Sequence, residues 1–281
     1  MIGQTKLSVN KACQTLHVSR SSYYKWKDHG FVDFSDNYLR KEIQGIVLEF
    51  PFYGYRRITY ELKRRKIIVN SKKVRRIMKE DNLICRKKKA FRPVTTQSDH
   101  DYNIYPNLVK DIEVTGLNQV WVADITYIRL VNEFIYLAAI IDIFSRKCIG
   151  WALSRDIDTF LTLNALKMAI SKRKSFGLDN LTHHSDRGVQ YASNDYVELL
   201  EKYGIRISMS RSGNPYDNAY AESFNKTLKV EEVYIKEYET FEDAYKNIKQ
   251  FIELVYNKKR IHSGIGYITP EEFEMEVLAK I

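Results

Sequence analysis

Three apolar, β-rich runs follow one another between residues 119 and 154: "QVWVADITYI" (119–128), "FIYLAAIIDIF" (134–144) and "KCIGWALS" (147–154). Only short polar turns separate them, which predicts an antiparallel meander. The longest run is too short for a membrane span and contains Asp142, so it reads as a buried strand. "DTFLTLNALKMAISKRK" (158–174) then has amphipathic helical spacing and "LTHHSD" (181–186) has the length of a short strand. Residues 193–203 read as helix, "IRISMS" (205–210) as strand and 217 onward as helix. The order βββαβαβα predicts an α/β fold with a mixed five-stranded sheet flanked by helices.

The meander holds one expensive residue. Asp124 lies inside the first strand, on the pleat side of Val122 and Thr126, where a carboxylate is costly unless paired or bound to a cation. Asp186 ends the short strand and precedes Arg187-Gly188, and strand ends of α/β sheets are where ligand groups converge. Glu222 belongs to a third segment, "GNPYDNAYAESFNKTLK" (213–229), with Asp217 in place to cap the helix. At helical spacing Asn218, Glu222, Asn225 and Lys229 share one face, while Tyr220, Phe224 and Leu228 share the other. Taken singly, each acid has an ordinary reading as a hydrogen-bonded buried Asp or a solvated Glu. Taken together, three carboxylates supply the hard oxygen ligands of a divalent-cation site, and two such ions about 4 Å apart suit phosphodiester chemistry. His183 and His184 beside Asp186 read either as packing or as groups touching substrate. Asp142 reads as shaping its hairpin or as an auxiliary ligand near Asp124. Trp121 and Trp151 read as core.

Charge points to the partner. The net charge is +10, yet residues 56–92 alone carry sixteen Lys or Arg against Glu61, Glu80 and Asp81, so the rest of the chain is net acidic. Such clustering is the footprint of a polyanion-binding module. Within it, "YGYRRITYELKRRKIIVNSKKVRRIMKE" (53–80) predicts two helices. Ile58 and Leu62 would pack on Val74, Ile77 and Met78, and Asn70 or Ser71 would start the second helix. Lys72, Lys73, Arg75, Arg76 and Lys79 form that helix's outer stripe, and Arg86, Lys87 and Lys88 extend the basic surface. A basic stripe behind an apolar one suits a helix lying on a phosphate backbone. Residues 8–27 read as a smaller helical hairpin with Val9, Ala12, Cys13 and Leu16 on one face and Ser19 capping the second helix. Cys13, Cys85 and Cys148 are too scattered for a disulfide framework or a zinc site, which fits a reducing compartment. The first residues lack a signal-peptide apolar region, which fits the cytoplasm.

Near the C-terminus, Phe241, Ala244, Tyr245, Ile248, Phe251, Ile252 and Val255 predict one long amphipathic helix. "TPEE" (269–272) predicts a last helix with Thr269 as cap, Pro270 in the first turn and Glu272 closing a capping box.

"WVADITYI" (121–128), "HHSDRGVQYAS" (183–193) and "GNPYDNAYAESFNKTLKVE" (213–231) resemble the catalytic motifs of insertion-sequence transposases of the DDE superfamily, relatives of retroviral integrases. Thirty-five residues separate Asp186 from Glu222, the interval characteristic of that group. "YNKKRIHSGIGYITPEEF" (256–273) is similar to their C-terminal motif, and "YGYRRITYEL" to their DNA-binding segment. The resemblance spans nearly the whole chain and is closest to the catalytic protein encoded by the second reading frame. It implies an RNase H-like core with Asp124, Asp186 and Glu222 as the catalytic and metal-binding triad, holding two Mg²⁺ with Mn²⁺ as a substitute. It implies Asn225 and Lys229 near the DNA. The implied activity is cleavage at the element ends to expose a 3′-OH, followed by strand transfer without a covalent protein–DNA intermediate. Its partners would be double-stranded DNA (terminal inverted repeats and target), further copies of the chain on that DNA, and an upstream-frame helix-turn-helix/leucine-zipper protein or a fusion to it. The implied setting is the bacterial cytoplasm at the nucleoid. A DNA-binding regulator without catalysis and a general RNase H-type nuclease are the alternatives. The expected organisation is a helical hairpin (1–35), a basic helix-turn-helix-like DNA-binding domain (36–93), a linker (94–112), the catalytic core (113–235) and a helical extension packed on it (236–281).

Overall fold

The computed structural model describes residues 8–28, 35–85, 102–110, 112–210 and 218–280, and the chain divides into two units, Met1–Cys85 and Arg86–Ile281. Among the described residues of the first unit there are five helices: α1 (Val9–Thr15), α2 (Arg20–Asp28), α3 (Asp36–Glu49), α4 (Tyr55–Arg64) and α5 (Ser71–Glu80). Ser8 and Ser19 accept backbone hydrogen bonds from Lys11 and Ser22, so each starts its helix as an N-cap does. Ala12 and Cys13 are buried as the spacing predicts, whereas Leu16 stands 47% exposed because it falls at the C-cap of α1. Leu39, Ile43 and Ile46 of α3 join Ile58 and Leu62 of α4 and Val74, Ile77 and Met78 of α5 among the buried residues. Asn70 is the cap of α5, accepting from the Lys72 amide at 2.8 Å. Arg40 closes the bundle by pairing with Glu80 and Asp81 at the end of α5.

In the second unit the five predicted strands form one sheet: β1 (Val120–Arg129), β2 (Phe134–Asp142), β3 (Cys148–Ser154), β4 (Thr182–Ser185) and β5 (Arg206–Met209), in the order β3-β2-β1-β4-β5. The meander β1–β2–β3 is antiparallel, and β4 and β5 add parallel to β1. The helices are α6 (Thr159–Arg173), α7 (Val189–Ala192), α8 (Asn194–Lys202), α9 (Ala219–Glu231), α10 (Phe241–Gln250) and α11 (Pro270–Leu278). This is the RNase H-like architecture that the motifs implied. Residues 105–109 lie against the unit: Pro106 accepts from the Met209 amide and the Leu108 amide donates to Ser208, which covers the β5 edge.

Strand alternation sorts the core into two layers. Val120, Val122, Leu137 and Ala139 pack with Ala221, Phe224, Leu228 and Ile248 on one side. Trp121, Ala123, Ala138 and Ile140 pack with Leu161, Leu166, Tyr196 and Leu200 on the other. Helix α6 crosses β3 closely at Gly150, where a Cβ would lie 2.3 Å from the Ala165 carbonyl. Only glycine permits that approach.

The long C-terminal helix differs from expectation. After α10 it widens into a π-helical turn, Phe251–Tyr256, which keeps Phe251, Ile252 and Tyr256 buried. Asn257 follows, accepting from the Cys148 amide and donating to the Cys148 carbonyl, each at 3.0 Å, as a strand partner would. The predicted capping box is present: Glu272 N donates to Thr269 Oγ1 and Thr269 N to Glu272 Oε2. One turn on, Glu274 is buried and accepts from Ser145 Oγ (2.7 Å), Lys147 Nζ (3.0 Å) and Arg173. Replacing Glu274 by Gln leaves Arg173 buried without its counter-charge, so urea denaturation should show a loss of about 3–5 kcal/mol. Glu272→Ala, which removes only half of the capping box, should cost about 1 kcal/mol in the same assay.

Candidate active site

The β1–β4 register assembles the first two acids. Val120 aligns with Thr182 and Val122 with His184. Two residues further along this register Asp186 comes beside Asp124, at the roughly 4.8 Å spacing of neighbouring strands. Asp124 projects toward the α9 layer, the side taken by Val122 and its cross-strand partner Ala139. Asp186 Oδ1 accepts from the Gly188 amide at 2.9 Å, which holds that carboxylate at the turn into α7. Both acids are half-buried.

Helix α9 supplies the third. Ala221, Phe224 and Leu228 anchor it on the sheet. On its polar face Asn225 Nδ2 donates to Asp124 Oδ2 at 2.8 Å, and Asn218 Nδ2 donates to the Ala123 carbonyl at 3.0 Å. The polar face read from the sequence is therefore split. Asn218 and Asn225 are buried against β1, Lys229 is half-buried and Glu222 is exposed. Asp217, expected as the cap, lies outside the described residues; Asn218 occupies the N-cap position and commits its amide to β1 instead. Lys229 Nζ sits 3.7 Å from the centre of the Tyr127 ring. Burial pulls its pKa down, opposed by the charge of Asp124.

The electrostatics mark Asp124 as the centre. Burial first, then the negative charge of Asp186, pushes its carboxyl up to about 7, with a further contribution from Glu222. The Asn225 hydrogen bond works in the opposite direction. Crowded carboxylates with raised proton affinity are what a cation would relieve. Among the described residues, however, no three His, Cys, Asp or Glu side chains form a ready-made ligand cluster. Asp124 and Asp186 are brought together, and Glu222 stands exposed on α9.

The remaining candidates sort clearly. His183 is packed with Tyr191 and Tyr196 and hydrogen-bonded to the Tyr196 hydroxyl at 3.0 Å, and burial lowers its pKa to about 3. His184 Nδ1 meets Ser208 Oγ at 2.8 Å. Both are packing residues here. Asp142 does not approach Asp124: it pairs with Trp121, one odd step along β1, and so faces the opposite layer. It accepts from the amides of Asn118, Phe144 and Ser145, which shapes the β2–β3 turn and excludes the auxiliary-ligand reading. Trp121 and Trp151 are core.

In the first unit, the basic stripe on α5 is only partly open. Arg76 pairs with Asp36 (2.7 Å) and Glu80 (2.8 Å), and Lys73 with Asp36 (3.2 Å). Lys72, Arg75 and Lys79 are exposed, and Arg75 lies 5.6 Å over the Tyr55 ring. Arg86, Lys87 and Lys88 lie outside the described residues. Spacing alone showed the stripe but not Asp36 of α3, which pairs with Lys73 and Arg76. Among the described residues no helix is long and apolar enough to cross a membrane.

Comparison with known families defines the class. Integrase core domain models match residues 115–215 and 203–270, and an HTH-like domain model matches residues 35–91. The Insertion element IS600 uncharacterized 31 kDa protein of Shigella sonnei is 41% identical over 266 residues, 93% of this chain and 96% of that one. Transposase InsF for insertion sequence IS3A of Escherichia coli (strain K12) is 35% identical over 282 residues, 98% of this chain and 97% of that one. The chain belongs to the insertion-sequence transposases with an integrase-type catalytic core. Among solved structures, the catalytic core domain of BIV integrase is 21% identical, covering 58% of this chain and 97% of that one with a TM-score of 0.40.

Because His183 is held neutral, the unfolded chain binds the extra proton between pH 6.5 and 3. This residue's contribution to stability is therefore complete above pH 6.5 and lost as the pH falls, by up to about 1.4 kcal/mol per unit. Denaturation of His183→Phe at pH 7, 6 and 5 should show a shallower loss than the native chain.

Proposed function

We propose that this transposase is a divalent-metal-dependent DNA strand transferase, with Asp124, Asp186 and Glu222 as its metal-binding and catalytic triad. One observation carries the reading: the β1–β4 register brings Asp186 beside the half-buried Asp124 of β1, which is hydrogen-bonded to the helix that bears Glu222. The donor set fits a hard cation, since all three are carboxylates and the raised pKa of Asp124 reflects burial first and then the neighbouring charge of Asp186. Mg²⁺ or Mn²⁺ bound there would activate the attacking oxygen and stabilise the leaving one.

The chain's own residues hold the reacting groups. Asn225 orients Asp124 through its hydrogen bond to Oδ2. Lys229, two turns beyond Glu222 on α9, offers a cation to a DNA phosphate. In the first step water attacks a phosphodiester at the element end, forming one P–O bond and breaking another to release a 3′-OH. In the second, that hydroxyl attacks a target phosphodiester, again exchanging one P–O bond for another. No protein nucleophile takes part, so the twenty tyrosines are not needed for the chemistry. Two ends must be held at once, which calls for several copies of the chain on DNA and for the upstream-frame partner. A DNA substrate places the protein at the nucleoid.

Glu222→Gln should leave folding and DNA binding intact while abolishing nicking and joining of labelled duplex that carries the repeat flanking the gene, with Mg²⁺ or Mn²⁺ supplied. Full activity in that variant would falsify the assignment. For the basic unit, Lys72, Arg75 and Lys79 replaced together by Ala should flatten the salt dependence of binding by about three ions' worth. Arg76→Ala, already neutralised by Asp36 and Glu80, should change it far less. Equal effects would remove α5's outer stripe as the DNA contact.

A further inference from the structure

A cavity of about 540 Å³ opens on the α9 side of the sheet, lined in part by Val120, Val122, Arg146, Tyr220, Gly264 and Ile265. Val122 lies one pleat repeat, about 7 Å, from Asp124 on the same side of β1, and Tyr220 stands in the first turn of α9, on the face turned away from Glu222. The charged side chains lining it are Lys110 and Arg146, and no carboxylate lines it among the described residues. We propose that this cavity is a DNA subsite that takes one nucleotide of the substrate strand, with its phosphodiester on the Arg146 guanidinium.

Arg146 is held in an unusual way. Its backbone is left-handed, φ +64°, in the β2–β3 turn, a conformation that glycine or asparagine adopts at less cost. An arginine there points to a use for its side chain. The guanidinium stacks 4.0 Å from the centre of the Tyr220 ring, and its Nε is buried without a hydrogen-bond partner among the described residues. Its neighbour Lys147 is matched by Glu274, whereas Arg146 faces an aromatic ring and a cavity. A stacked guanidinium with open donors is suited to a phosphate.

The C-terminal motif "HSGIGY" gains a role from this placement. A Cβ at Gly264 would come within 3.3 Å of Arg146 Nη2, so the glycine makes room for the guanidinium. Glu274 grips both Ser145 and Lys147, which fixes the turn that presents Arg146. Thus the 262–274 segment acts as a roof and clamp for one phosphate contact.

The inference rests on DNA as substrate, and binding separates it from the Glu222→Gln test, which reads chemistry. The probe is a fluorescein-labelled 30-base-pair duplex carrying the repeat that flanks the gene, followed by anisotropy across a KCl series with the full chain. Arg146→Gln should weaken binding roughly tenfold and lower the salt slope by about one ion. Arg146→Lys should restore the slope but only part of the affinity, because it keeps the charge and loses the stacked fork. On the native chain, 4-thiothymidine in that duplex should cross-link to peptides containing Arg146 or Tyr220. An Arg146→Gln chain with unchanged slope and affinity, or native cross-links that all fall elsewhere, would overturn the subsite whatever Glu222→Gln does.

Discussion

The parallel pairing of β1 with β4 is the constraint on which the candidate site depends. A meander alone would leave Asp124 beside Ala139, with no second carboxylate near it. The crossover through α6 returns the chain parallel to β1, and its register then carries Asp186 to the same level. Burial of the Asp124 carboxylate is costly and the neighbouring charge of Asp186 adds to the cost, which is why Asp124 is raised to about 7. The fold tolerates this local penalty because the strands on either side are among the best-buried parts of the molecule: Val122, Ala123 and Ile140 are each at most 2% exposed. A strained, charged centre inside a rigid sheet is the arrangement expected where cations and phosphates are to be held.

Helix α9 and the C-terminal segment work on that sheet from one side. Phe224 and Leu228 fix the helix, and Asn225 and Asn218 tie its polar face to β1. Glu231 near its end forms a two-bonded pair with Arg260, both bonds 2.7 Å, so the C-terminal motif also locks α9 in place. Asn257 bonds to β3 at Cys148, and Glu274 bonds to the β2–β3 turn and to Arg173 of α6. Residues 256–274 therefore brace α9, β3, the β2–β3 turn and α6. This gives Asn257, Arg260 and Glu274 a structural use although they lie far from the acids in sequence.

The first unit follows a different logic. Its core is an ordinary apolar contact among α3, α4 and α5, and its specialisation lies in charge. Asp36 and Glu80 neutralise Arg76 and engage Lys73, leaving Lys72, Arg75 and Lys79 as the outward cations. Ion pairs at such exposed positions add little stability. Their effect is to select which cations remain available for an anion.

Much of this was determined by the sequence alone, because periodicity and caps are local properties. Alternation predicted all five strands to within two residues at each end, and the capping box at Thr269 and the cap at Asn70 are where the residue types place them. Asp124 and Asp186 stood out because a carboxylate within an apolar strand and another at a strand end are anomalies, whereas Glu222 read alone as a solvated glutamate and joined them only through the other two acids and the motif interval. What tertiary structure decided was the partner of each polar group. Asn225 looked like a surface residue until β1 placed Asp124 beneath it. Asp142 looked close to Asp124 until the register put the two on opposite faces. Glu274, Arg173 and Arg146 carried no visible signal, since their partners lie more than seventy residues away. The reason is physical. A helix or strand reports its own exposed and buried sides, but which charge meets which is set by sheet order and register, and those arise only when distant segments pack.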